Sequence, residues 1–116
     1  MTSLGDAVTV VAIVANASIA LADFTRAPFV LANSAEVSVP LGWLPVLGSL
    51  KLAGAVGLAV GLAGAVPVGV AAGAGLSAFF VGAAAVHIRS RVFHNIAFPL
   101  AYLALAGGSF VAALQR

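Results

Sequence analysis

The stretch KLAGAVGLAVGLAGAVPVGVAAGAGLSAFFVGAAAVH, Lys51 to His87, carries 35 residues between its two ends, and none of them is ionisable. Wound as one helix, that interval would reach ~52 Å at ~1.5 Å per residue. The hydrocarbon slab of a bilayer is only ~30 Å thick, so a single crossing is too few. Pro67 sits near the middle of the run and cannot continue a helix interior without breaking it. The run therefore reads as a transmembrane hairpin that turns just before Pro67.

Composition agrees. Of the 116 residues, 63% are hydrophobic and 7% charged, against about 25% charged in an ordinary soluble domain. No stretch has the polar composition of an extramembrane module, and residues 1–116 read as a single four-span domain. The absence of cysteine excludes disulfides and thiolate metal sites. A net charge of +2 does not point to nucleic acid. The expected fold is thus all-α, an integral membrane four-helix bundle whose first partner is the lipid bilayer.

Four spans can be drawn, over about 4–22, 44–64, 67–87 and 92–113, each with the length one crossing needs. The first lacks the basic start of a signal peptide and reads as a retained helix. Pro99 falls inside the fourth and is expected to bend it. The long connection, 23–43, should hold a short interfacial helix from about Pro28, capped by Thr25, with Trp43 as a headgroup-level anchor. Gly54, Gly57, Gly61 and Gly64 recur on one helical face, and Gly69 and Gly73 form a second pair. Such faces serve close packing inside the bundle or homo-oligomer formation between copies.

Four spans bring the first and third loops to one side. Eight of the ten Asp, Glu, Lys, Arg and His side chains then gather at one end, with Asp6 and Arg116 at the other. Positive residues favour cytoplasmic loops, so segments 23–43 and 88–91 are expected in the cytoplasm. Lys51 lies about two turns inside its span, a costly place for an ammonium without a carboxylate. Asp23 or Glu36 is the expected partner. Asn16 should share a face with Asp23, and Tyr102 with His94, carrying the polar end toward the midplane. If chemistry occurs, Asp23, Glu36, Lys51, His87 and Tyr102 are the acid/base candidates. Asn16, Arg89, His94 and Asn95 are the candidates for substrate binding. His87 and His94 would stand ~10 Å apart on a continuous helix, too far to share a metal. A break at Ser90 would lift that objection, and two histidines can also ligate haem axially. No metal site and no cofactor signature is evident.

The segment HIRSRVFHNIAFPLAYLALA, read with Val39-Pro40, Trp43-Leu44-Pro45 and LGSLKLAGAVGLAVGL, resembles the DoxX-like family of small bacterial membrane proteins. The likeness runs over nearly the whole chain, through the His-x-Arg closing span three, Asn95, Pro99 and the Leu-Lys-Leu-Ala-Gly opening of span two. It departs at Lys51 and at Ser90-Arg91, where many relatives carry acidic residues. The resemblance implies a four-helix bundle in the bacterial inner membrane. It further implies a link to quinone-dependent redox metabolism or oxidative defence, with quinone as the cofactor class. Two functions follow as expectations. One is a membrane subunit or anchor serving a redox-protein partner. The other is an intramembrane enzyme of isomerase, cyclase or epoxide hydrolase type, acting on a small lipophilic ligand, with Arg89 holding an anionic group.

Overall fold

A computed structural model describes residues 3–116. Its helices are α1 (Ser3–Phe24), α2 (Pro28–Glu36), α3 (Leu44–Leu62), α4 (Val66–Arg89) and α5 (Ala97–Leu114), with a single 3₁₀ turn, Leu41–Trp43, leading into α3. Four of these are long and apolar enough to cross a membrane. They form a ring in which α1 packs on α3 and α5, and α4 packs on the same two. The bundle is 41 Å long, matching a bilayer with its interfacial layers.

The bundle exposes apolar side chains on its outer face and buries polar groups of α1 inside, beside an apolar centre. The buried stripe of α1 is Thr9, Ala12, Asn16, Ala20 and Asp23, three of them polar. Its opposite face exposes Val10, Val11, Val14 and Leu21. Only lipid makes that arrangement favourable, because hydrocarbon welcomes the exposed valines while the polar groups find partners inside. The centre is filled by Ala12, Leu58, Leu76, Phe80 and Ala106.

Each of the five prolines lies just before a helix or within its first turn, where its missing N–H removes no helical bond. For Pro99 this corrects the expected kink. The fourth transmembrane helix begins at Ala97 rather than near residue 92, and Pro99 falls in its first turn. Extending the helix backwards would drive the Pro99 ring against the Asn95 carbonyl, so residues 92–96 unwind instead.

Helix ends follow one pattern. Arg26, Ser38, Gly64 and Arg91 adopt positive φ of 52°, 60°, 126° and 55°. Around each, the next N–H reaches five residues back and its own N–H three back, as in Val92 to His87 (2.9 Å) and Arg91 to Ile88 (3.0 Å). Gly64 is thus the turn residue of the hairpin and not part of a packing face. Thr25 does not cap α2, whose N-cap is Ala27. Its hydroxyl donates back to the Leu21 carbonyl at 2.9 Å and closes α1.

The other glycines of the stripe are occupied within the molecule. A Cβ on Gly57 would meet the Ala72 side chain, one on Gly61 the Gly69 backbone, and one on Gly73 the Phe110 backbone. These positions let α3, α4 and α5 approach closely, so the expected glycine faces serve packing inside the bundle.

Candidate functional site

The expected lysine–carboxylate pair forms. Asp23 ends the inner stripe of α1, and Lys51 Nζ donates to its Oδ2 at 2.8 Å, with side-chain exposures of 3% and 12%. Lys51 reaches this height because its flexible stem climbs from two turns inside α3. The ammonium also lies 5.4 Å from the centre of the Phe79 ring, near its π face. An ion pair this deep is held by mutual attraction where water cannot compete.

Below it lies a layer of single polar groups. The Tyr102 hydroxyl donates to the Ala15 carbonyl at 3.2 Å, and its ring packs 5.2 Å from that of Phe80. Asn16 Nδ2 donates to the Ala12 carbonyl at 2.9 Å. Its Oδ1 is fully buried and has no partner among the described residues. His87 closes the inner stripe of α4. A carbonyl can only accept, so the 2.9 Å contact with Ala83 O puts the proton on Nδ1. Nε2 is a buried ring nitrogen without a partner among the described residues.

Helix α2 covers this end, burying Val30 and Ser34. It is fastened to the unwound link between α4 and α5. Asn95 Nδ2 donates to Asn33 Oδ1 at 2.8 Å, Ser90 Oγ donates to the Val37 carbonyl at 3.2 Å, and His94 Nε2 pairs with Glu36. At the opposite end Arg116 donates to Asp6 and Thr9 at 3.1 and 3.2 Å.

The candidates therefore divide. Asp23, Lys51, Asn16, Tyr102 and His87 face the interior of one end of the bundle. Glu36, His94 and Asn95 belong to the α2 cover, so Glu36 is not the partner of Lys51. His94 precedes α5 and shares no helical face with Tyr102. Arg89 is exposed at the end of α4. The helix does break after Arg89, yet the two histidines take separate partners, and no group of three metal-ligating side chains occurs among the described residues.

One family model, that of the DoxX-like family, matches residues 7–109, which is most of the chain. This chain belongs to the DoxX-like family. The match begins within α1 and ends within α5, so it takes in the ion pair, the α2 cover and both histidines. Neither a curated protein nor a solved structure matches it. Within this DoxX-like bundle, two features escaped the sequence reading. One is the fastening of α2 to the link. The other is the left-handed backbone at Arg26 and Arg91, where an arginine just past an apolar helix gives no local signal of it.

Proposed function

We propose that the chain is a small membrane subunit or anchor in a bacterial inner membrane, serving a redox partner of quinone-linked metabolism or oxidative defence. The observation that carries this reading is a set of uncompensated arginines. At the polar end the carboxylates are already engaged, Asp23 by Lys51 and Glu36 by His94. Arg26, Arg89 and Arg91 remain exposed, without an ion pair or side-chain hydrogen bond among the described residues. Arg26 and Arg91 also hold left-handed backbone at φ 52° and 55°, which glycine would adopt without steric cost. Strained positions of this kind often serve function. Three open guanidinium groups suit an acidic partner surface at the cytoplasmic face.

Purification in mild detergent tests this. A second protein should be recovered in stoichiometric amount, and Arg26→Gly with Arg91→Gly should release it. The same pair should leave the fold intact or stabilise it by about 1 kcal/mol, because glycine suits both turns. Recovery of this chain alone would refute the reading. So would a partner that stays bound after both arginines are removed.

A second reading, an intramembrane enzyme on a small lipophilic substrate, is favoured by two buried polar atoms, His87 Nε2 and Asn16 Oδ1, that have no partner among the described residues. A buried histidine ring nitrogen left open in this way is the kind of group that exchanges a proton with a substrate. Full activity after Asp23 and His87 are replaced singly, in an assay of a reconstituted substrate, would exclude it.

A further inference from the structure

The four long helices pack directly on one another, whereas α2 packs on none of them to a comparable extent. Its inward face buries only Val30 and Ser34, with Val37 just past its end. What else holds it is side-chain contact with the unwound link between α4 and α5. Asn33 meets Asn95, Glu36 meets His94, and the Val37 carbonyl meets Ser90. All three contacts lie in the second half of α2 or just beyond it. The Glu36–His94 pair is exposed to water, where such a contact adds little stability.

Both ends of α2 are pivots. Arg26 precedes it and Ser38 follows it, with left-handed backbone at φ 52° and 60° respectively. An L residue holds that conformation at a steric cost, so rotation there releases strain rather than creating it. Hinges of this sort need only a few loop residues to absorb the change. Beneath the cover lies His87, 5% exposed, with Nε2 unpartnered among the described residues. A buried polar atom is costly without a partner, so a polar solute that reaches it is stabilised there. Ser90, one end of a latch contact, follows His87 by about one helical turn, which puts the edge of the cover close to the imidazole.

We infer that α2 is a hinged flap, which opens on the water side and gives small polar solutes access to His87. It swings about Arg26 and Ser38, and the three contacts with the link are its latch. The flap serves either reading of the function and depends on neither, because it sets the route to His87 and not what arrives there.

The chain has no cysteine, so single thiol reporters can be placed one at a time in the full-length protein. His87→Cys puts a thiol beneath the flap, and Ser34→Cys puts one on its underside. Ala32→Cys, on the exposed face of α2, is the open reference, and Ser109→Cys, fully buried on α5, is the closed one. Each is treated in lipid nanodiscs with a small cationic methanethiosulfonate, and labelling is followed by mass spectrometry. The thiols of His87→Cys and Ser34→Cys should react, more slowly than that of Ala32→Cys. Adding His94→Ala and Asn95→Ala cuts two latch contacts and should speed both about tenfold, since losing two hydrogen bonds shifts a local opening equilibrium by roughly that factor. Ala32→Cys and Ser109→Cys should keep their rates. Thiols at 34 and 87 that never react, or whose rates ignore the latch, would overturn the inference. So would equal acceleration in Ser109→Cys, which would mean a bundle loosened throughout. Labelling of His87→Cys by an apolar maleimide and not by the cationic reagent would place the route in the lipid and overturn it as well.

Discussion

Lys51→Met alone is expected to destabilise the folded bundle by about 3–5 kcal/mol, the usual cost of stranding one member of a buried ion pair. The Asp23 side chain is 3% exposed and short, so its carboxylate cannot reach water once the ammonium is gone. Asp23→Asn should cost less. Lys51 has a long flexible stem and can swing toward the interface, a relief that aspartate lacks. The double variant should regain most of the loss, because no buried charge is left over. Unfolding by denaturant in bicelles, run as a double-mutant cycle, measures all three. Equal and additive losses would mean that the two side chains do not interact.

Gly61→Val is expected to cost about 3 kcal/mol or more, the upper end of what overpacking does. A Cβ there would stand 2.5 Å from the Gly69 Cα and 3.0 Å from its N, and backbone cannot yield as a side-chain tip can. The α3–α4 hairpin would have to open. Gly75→Ala and Gly82→Ala meet nothing within 4 Å. They should be neutral or stabilising by up to ~1 kcal/mol through helix propensity. Thermal melting in detergent separates the cases, and similar melting points for Gly61→Val and Gly75→Ala would contradict the packing described here.

The hairpin and the polar end were legible because both rest on quantities local in the chain. A charge-free run too long for one crossing demands a turn, and an ammonium two turns inside a span demands a carboxylate. Asp23 and Glu36 could not be told apart that way. Asp23 wins because it continues the buried stripe of α1, whereas Glu36 ends α2, beside the link that carries His94. The start of α5 was misplaced for a related reason. Five unwound residues barely alter hydropathy, and Pro99 is equally compatible with a kinked helix and a first turn. The glycine stripe showed that something approaches closely. It did not show that the neighbours are Leu76, Ala72 and Gly69, since those contacts arise only from how α3 docks on α4. His87 was legible as a polar residue at a helix end, but its unpartnered Nε2 depends on the Ala83 carbonyl claiming Nδ1.

The Asp23–Lys51 pair is the element on which the polar end is built, and the composition of the chain makes it directly measurable. Lys51 is the only lysine, and Asp6 and Asp23 are the only aspartates. Protein grown with ¹⁵N-labelled lysine side chains and ¹³C-labelled aspartate carboxyls, placed in lipid bilayers, gives one nitrogen signal for dipolar recoupling by solid-state NMR. The 2.8 Å contact predicts strong dephasing of that signal, abolished by Asp23→Asn and untouched by Asp6→Asn. A lysine nitrogen that shows no coupling to either carboxyl would contradict the account.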